Sequence, residues 1–212
     1  LVGDVSVYDV EFSQREKPVQ SYPYINSSLR LSTRKMMLKN VDLLTLIKSN
    51  ILKLDKIEII EPAVDFRIED KIPVFFPIKD TLAVADTTKK NKKRSIEAFV
   101  LKEFDMVDAS FHTTNSARER EFSIRKLNIS FRDIIIDQQP GRDLISYKNA
   151  SFSIGEFEWY LQKKVIRYIF FKDFYINIDS LQLFQTPDTA ICNLADFSTV
   201  LNALDIQTAD SL

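Results

Sequence analysis

A six-residue signature recurs along this chain at an almost constant step: an apolar residue, a hydrophilic pair, an apolar residue, any residue, and another apolar residue. Its clearest copy is LDKIEI at residues 54–59. Repeats of about 20 to 50 residues are typical of units that stack and bury a shared core. The copies align with steps of 24, 23, 23, 23 and 24 residues on their fourth position, at Ile57, Thr81 (a decayed copy), Phe104, Leu127, Ala150 and Phe174.

Each copy carries two apolar pairs with a break between them. In the copy that starts at Leu54, the pairs are Ile57 with Ile59 and Val64 with Phe66. Alternation with a period of two predicts strands with one buried face, while the odd offset of five between the pairs requires a turn or bulge. Each unit is therefore either two short strands or one long strand kinked by a bulge. The hydrophilic pairs are hard to bury, so we expect them to mark the entry to a strand. The breaks contain Pro62, Gly155 and Asp179.

A few segments have a different pattern. Residues 5–12 alternate as a strand does, and residues 41–48 place Leu43, Leu44 and Ile47 on one helical stripe. Residues 158–168 are ambiguous, and we favour a short helix there. A further helix is predicted after Asn193, from the spacing of Leu194, Phe197, Val200, Leu201 and Leu204. The sequence thus predicts one mainly β domain over residues 1–212: an elongated, curved antiparallel sheet of repeats of about 23 residues, capped or covered by two or three short helices.

Composition excludes several classes of function. The net charge is −1, from 29 basic and 30 acidic residues, so the chain as a whole has no field that would attract nucleic acid. One cysteine, Cys192, and one histidine, His112, leave no plausible zinc cluster and no internal disulfide framework. We expect Cys192 to be buried and His112 simply to lie on a strand. Three glycines cannot build a phosphate-binding loop or a dinucleotide fingerprint, and we expect no cofactor.

Two local features suggest a function, but each also has a simpler structural explanation. The acidic residues Asp105 and Asp108 suggest a glycosidase pair, yet an offset of three in a strand points them to opposite sides unless the backbone is bulged. We expect them to be solvated, and the protein not to be an enzyme. Residues 86–95 form a polar, basic stretch that predicts a loop able to contact anions weakly. Its cationic residues are Lys89, Lys90, Lys92, Lys93 and Arg94.

The pattern also resembles a known family. Residues 54–66, LDKIEIIEPAVDF, look like the strand motif with a mid-strand proline of the AsmA-like proteins of the Gram-negative envelope, which are related to the repeating β-groove, or bridge-like, lipid-transfer proteins. The opening GDVSV at residues 3–7 and the helical stripe at residues 43–47 support the resemblance. It implies a periplasmic body anchored to the inner membrane by an upstream segment. It also implies a role in outer-membrane biogenesis or maintenance, through a curved sheet whose apolar face holds lipid.

The residues alone lead to a similar hypothesis. A curved sheet with one apolar face that helices do not cover must be closed by another surface or by an apolar ligand. We therefore predict a groove that binds or conducts phospholipid acyl chains. The alternative is a structural or interaction module, a closed β-sandwich in which the same residues pack on each other. The predicted groove residues are Ile57, Ile59, Val64, Phe66, Phe104, Met106, Phe111, Leu127, Ile129, Ile134, Phe152, Phe174, Ile176 and Leu181.

Overall fold

Long β-strands make up almost all of the fold. The computed structural model describes residues 2–13, 26–70, 96–118, 120–139, 142–161, 166–186 and 189–208. Thr81 and the basic stretch 86–95 with its five cationic residues lie outside these ranges. The elements are β1 Val2–Ser13, β2 Ser27–Asp42, α1 Leu43–Ser49, β3 Ile51–Ile60, β4 Ala63–Ile68, β5 Ala98–Asn115, a 3₁₀ turn Ser116–Arg118, β6 Arg120–Gln139, β7 Arg142–Tyr147, β8 Asn149–Leu161, β9 Ile166–Ile178, β10 Leu181–Gln185, β11 Ala190–Leu194 and β12 Phe197–Thr208.

All twelve strands belong to one sheet. Four consecutive pairs run in line, namely β3 with β4, β7 with β8, β9 with β10 and β11 with β12, because both members pair with the same neighbouring chain segment. The result is a row of eight long strands in chain order. Neighbours are antiparallel, except that β3 and β4 run parallel to β5. The prediction of a mainly β protein built on a large sheet is confirmed, and the sheet is mixed where we expected it to be purely antiparallel.

Two lines of bent residues cross the sheet from strand to strand. Crease 1 passes through Glu61, Asp108, Lys126, Gly155 and Asp173. Four of these residues have φ between 51° and 54°, in the left-handed region. The ladder skips them in several pairings, as between Met106 and Ala109, although the strands pair on both sides. A residue in this conformation is typical of a β-bulge, which bends its strand and increases its twist.

Crease 2 lies about six residues away along each strand. It passes through Asn40, Asp55, Lys102, Asp133 and Lys148, of which Asn40 and Asp133 have φ of 52° and 54°. Side chains tie it together, since Lys102 Nζ lies 2.6 Å from Asp55 Oδ1 and Asn40 donates to Asp55 at 2.5 Å. Short Asp and Asn side chains tolerate the left-handed region better than most, which favours these residues at a crease.

The creases explain the break inside each unit. In the units anchored at Phe104, Leu127 and Ala150 the two apolar pairs lie on one long strand kinked by a bulge, which was one of the two predicted forms. In the units anchored at Ile57 and Phe174 they lie on two strands that run in line. The hydrophilic pairs of the signature were expected to mark strand entries. That expectation holds for Lys148 and Asn149, where β8 begins, and is wrong for the other four pairs, which lie inside strands. Each pair contributes one residue to a crease: Asp55, Lys102, Lys126, Lys148 and Asp173. Charged residues suit a bend because its splayed backbone leaves their side chains in solvent.

Gly155 is required by the close approach of two strands at crease 1. A Cβ atom added at this residue would lie 2.9 Å from Lys126 Cβ and 3.1 Å from its Cδ. Contacts below 3.0 Å do not occur for real Cβ atoms, so β6 and β8 would have to separate to admit a side chain.

One predicted helix is present and two are not. Helix α1 forms as expected, with Asp42 as its N-cap accepting from the Thr45 backbone N–H at 3.0 Å and Asn50 in the left-handed conformation at its end. The predicted helix after Asn193 is instead β11 and β12. The ambiguous segment 158–168 is strand in its described parts, residues 158–161 and 166–168, and residues 162–165 lie outside the description.

Candidate functional site

One face of the sheet is apolar across its whole width. Residues directly opposite one another on neighbouring strands share a face, and residues two apart on a strand do so as well. One row places Ile57, Phe104, Phe131 and Ala150 opposite one another. The next row, two residues away, contains Met36, Ile59, Met106, Ile129, Phe152 and Ile176. We call this the apolar face.

Aromatic contacts show that the apolar face continues through both creases. The rings of Phe171 and Phe174, on either side of crease 1, have centroids 5.7 Å apart. Across crease 2, the rings of Phe131 and Tyr147 are 5.4 Å apart. A bulge shifts the alternation by one residue, so apolar residues separated by an odd number of positions point to the same side. Each crease therefore bends the apolar face without interrupting it.

An aromatic ladder runs across the sheet beyond crease 1. Phe66, Phe111, Phe122, Phe157 and Phe171 belong to five neighbouring strands, with successive ring centroids 5.4, 5.6, 5.2 and 4.3 Å apart. Most of these pairs are tilted or edge-to-face, and Phe157 stacks on Phe171 with the rings 7° from parallel. Aromatic pairs contribute about 0.5–1.5 kcal/mol each beyond the area that they bury.

The structure brings all fourteen predicted groove residues to the apolar face, but in a different arrangement. We expected Val64, Phe66, Phe111, Ile134 and Leu181 to form one second row. Because neighbouring strands mostly run in opposite directions, the first three lie beyond crease 1, while Ile134 and Leu181 lie beyond crease 2, level with Leu101 and Tyr147 respectively. The apolar face therefore has three panels: one between the creases and one beyond each.

No described element forms a second layer over the apolar face. Each of the fourteen residues is half-buried, because neighbours in the sheet cover its sides and leave its outer end accessible. Among the described residues only six apolar side chains are buried. The accessible surface of the chain is 15397 Å², whereas a compact monomer of its 24.6 kDa would expose about 10,000 Å².

Phe131 is the most connected residue of the apolar face that the sequence analysis missed. Its ring lies 6.1 Å from Phe104, 5.5 Å from Phe152 and 5.4 Å from Tyr147. A signal was available, because Phe131 continues the period-two alternation of Leu127 and Ile129. The signature places its two apolar pairs at the anchor and two residues after it, and seven and nine residues after it. Phe131 stands four residues after Leu127 and belongs to neither pair.

The opposite face, which we call the charged face, carries a line of alternating charges across four strands. Lys35 lies 3.2 Å from Glu58, Glu58 lies 3.1 Å from Lys56, Lys56 lies 2.9 Å from Asp105, and Asp105 lies 2.7 Å from Arg132. Opposite charges that face each other across strands stabilise their pairing. The two faces of this sheet therefore differ sharply in what they present to solvent.

These ion pairs shift the pKa values of Lys56, Asp105 and Glu58. The hydrogen bond to Asp105 is the largest cause that raises the pKa of Lys56. For Asp105, partial burial alone would raise the pKa, but hydrogen bonds from Lys56 and Arg132 outweigh it and hold the pKa below its usual value. The pKa of Glu58 is lowered in the same way, against its own burial, by Lys56 and Lys35. The pKa shifts of Lys56, Asp105 and Glu58 therefore all favour the charged form.

His112 lies on the charged face between two carboxylates. Its Nδ1 is 3.1 Å from Asp65 on β4, and its Nε2 is 3.2 Å from Glu121 on β6. Partial burial on its own would lower the pKa of His112, yet the hydrogen bonds to Asp65 and Glu121 raise it above its usual value. With carboxylates at both ring nitrogens, the imidazolium form donates two hydrogen bonds. We expected His112 simply to lie on its strand, and the sequence did not predict its contacts with Asp65 and Glu121.

We expect the pKa of His112 to exceed 6.5 and to fall when either carboxylate is removed. The stabilisation from a raised histidine pKa is fully present below the unfolded pKa, about 6.5, and is lost as the pH rises through the folded value. Since this is the only histidine, its ring proton gives one signal in a proton NMR titration. Asp65→Asn and Glu121→Gln should each lower the midpoint, whereas Asp205→Asn on β12 should leave it unchanged. Equal midpoints in all four proteins would contradict the hydrogen bonding described.

The other candidate residues from the sequence are Asp105, Asp108 and Cys192. Asp105 is engaged with Lys56 and Arg132, while Asp108 is exposed at crease 1 and its backbone N–H donates to Asn128 at 2.9 Å. Cys192 was expected to be buried and is exposed, because β11 lies at the edge of the sheet. Within the described ranges, no group of three or more His, Cys, Asp or Glu side chains is placed to hold a metal ion. The longest helix there is α1, whose 7 residues are too few to cross a bilayer.

Comparison with known proteins does not extend this description: no protein-family model matches the chain, and no curated protein matches it significantly.

Proposed function

We propose that the protein binds or conducts the acyl chains of phospholipid on its apolar face, without covalent chemistry. One observation carries the proposal: fourteen predicted residues, together with Phe131 and the aromatic ladder, lie half-exposed on one side of a single sheet. Soluble proteins rarely leave an apolar surface wider than a few hundred Å² uncovered unless it binds something. An acyl chain satisfies such a surface because each buried CH₂ group contributes about 0.8 kcal/mol.

The charged face supports the same proposal because it differs from the apolar face in the groups that it exposes. Its ion pairs and the hydrogen bonds among its Ser and Asn residues satisfy polar groups of that face, although Tyr175 and Val200 are exposed on it. A lipid on the apolar face leaves the charged face in water. In the AsmA-like proteins that residues 54–66 resemble, such a sheet belongs to a periplasmic protein anchored to the inner membrane, and we extend that location to this protein as part of the proposal.

A β-sandwich module was the alternative, and the described residues do not favour it. A sandwich needs two sheets packed about 10 Å apart. The twelve described strands form one sheet, and the inward row that a sandwich would bury is half-exposed.

Trp159 provides a direct test of the proposed lipid contact. It is the only tryptophan, it is half-buried, and it lies on the apolar face opposite Phe122. We expect its fluorescence to fall when the purified protein is mixed with vesicles of phosphatidylcholine brominated along the acyl chain. Unbrominated vesicles should leave the emission intensity unquenched, because bromine quenches only at contact. Equal emission with both kinds of vesicle would refute the proposal.

A matched pair of variants separates the two faces. Phe152→Asp places a carboxylate in the middle panel of the apolar face, and Ser151→Asp places one on the next residue, which points to the charged face. Losing the contact of one Phe side chain removes about 1.5–3 kcal/mol. We therefore expect about tenfold or more weaker lipid binding for Phe152→Asp. Lipid that co-purifies without detergent, extracted and weighed against protein, should be close to wild type for Ser151→Asp.

A further inference from the structure

No described element covers the edge of the sheet formed by β11 and β12. β11 pairs only with β10 and β12 only with β9 among the described elements, and every residue of both strands is exposed. Natural edge strands are usually blocked by lysine, proline or a covering element. Residues 190–208 contain no lysine, arginine or proline, and their only charged residues are Asp196 and Asp205. Within the described residues, this edge therefore leaves backbone N–H and C=O groups without a partner strand along most of its length.

The positions of the large apolar residues along this edge are symmetric about Thr199. Phe197 and Leu201 lie two residues to either side of it, and Leu194 and Leu204 lie five residues to either side. All of these residues belong to the apolar face, since they pair with residues of that face on β9 and β10. The ladder is interrupted at residues 195–196 and again at residue 202, so the two bends are also placed nearly symmetrically.

The other edge of the sheet lacks this self-complementarity. β1 is also exposed, but three of its twelve residues, Asp4, Asp9 and Glu11, are acidic and none is basic. Pairing β1 with itself would bring like charges together, which destabilises a sheet.

We propose that two copies of this chain pair through the β11 and β12 edges, antiparallel, about a two-fold axis at Thr199. The two-fold axis stands perpendicular to the sheet and keeps both apolar faces on the same side, so the dimer carries one continuous apolar surface. The pairing makes an isologous interface, the commonest kind in homodimers. It places Leu194 opposite Leu204 of the second copy and Cys192 opposite Ile206. This inference does not depend on lipid binding, which the tryptophan experiment measures separately.

Directed cross-linking tests the register. Directly opposed residues of antiparallel strands have Cα atoms about 4.5–5.5 Å apart, within the range that a disulfide spans. In Ile206→Cys, Cys192 of each copy should form a disulfide with the new thiol of the other copy under mild oxidation. Within one chain these residues lie fourteen positions apart along nearly extended strands and cannot meet. Gln207→Cys is the control, because residue 207 points to the other face.

The expected result is a covalent dimer for Ile206→Cys, with peptide mapping that identifies the 192–206 disulfide, and little dimer for wild type or Gln207→Cys. Light scattering of the unmodified chain at about 100 µM should give twice its 24.6 kDa mass. Val200→Lys, near the axis, should weaken dimerisation at least tenfold, because it brings two like charges together at an edge. A monomer at that concentration, or equal cross-linking by both cysteine variants, would overturn the proposal.

Discussion

Leu101→Ala is expected to destabilise the protein by about 2–4 kcal/mol, the largest effect of any single truncation that we foresee. Leu101 is 2% exposed and is the only large side chain that is fully buried among the described residues. It stands level with Leu54 on β3 and Ile134 on β6, so it joins three strands next to crease 2. Truncation removes its buried methyl groups and leaves a cavity, and a sheet with so few buried residues has little other packing to compensate.

Urea denaturation followed by far-UV circular dichroism measures this effect. Leu44→Ala is the matched control, because Leu44 is 45% exposed on helix α1, away from both edges of the sheet, and its loss should cost less than about 1 kcal/mol. Leu101→Val provides a gentler step of about 1 kcal/mol if the alanine variant does not fold. Equal midpoints for Leu101→Ala and Leu44→Ala would show that burial at crease 2 does not limit stability.

Asp105→Asn is expected to cost about 1–3 kcal/mol at neutral pH, the range for a hydrogen bond to a charged group that is partly buried. The side chain of Asp105 is only 14% exposed, and it receives Lys56 at 2.9 Å and Arg132 at 2.7 Å. Removing the central carboxylate leaves two cations on the charged face without their shared partner. Glu103→Gln is the control, since Glu103 also contacts Lys56, at 3.4 Å, but is 43% exposed and should contribute less than about 1 kcal/mol.

The pH dependence of this difference has a definite sign. Because the pKa of Asp105 is depressed in the folded state, its contribution is present above about pH 4 and is lost as the pH falls through the folded value. The free energy of unfolding of the wild type and of Asp105→Asn should therefore converge in strong acid. A difference that persists at the lowest pH where the protein still folds would mean that packing, and not charge, explains the effect.

The sequence predicted the composition of the apolar face better than its layout. Period-two alternation identified fourteen residues that share one side of the sheet, because alternation along a strand is a local property of the backbone. It could not assign Ile134 and Leu181 to a different panel from Val64, because that depends on the direction in which each neighbouring strand runs. Nor could it predict that β3 and β4 pair parallel with β5.

The wrong prediction of a helix after Asn193 has the same cause, because the sequence does not show which segments pair. A bulge adds one residue to the alternation, so Leu194, Phe197, Leu201 and Leu204 are three or four residues apart, which matches the spacing of a helix as well as that of a creased strand. Only the pairing of β12 with β9 distinguishes the two, since it satisfies the backbone hydrogen bonds that a helix would have satisfied internally.

The sequence by itself determined that this protein is a β structure with one apolar side, and that the alternation within each unit is broken between its two apolar pairs. Tertiary structure decided that the bends align into two creases, that Lys56, Asp105 and Arg132 meet on the opposite face, and that no described element forms a second layer over the apolar side. The physical reason is range: alternation and bulges are set by neighbouring residues, whereas strand order, charge pairing and exposure depend on segments far apart in the chain.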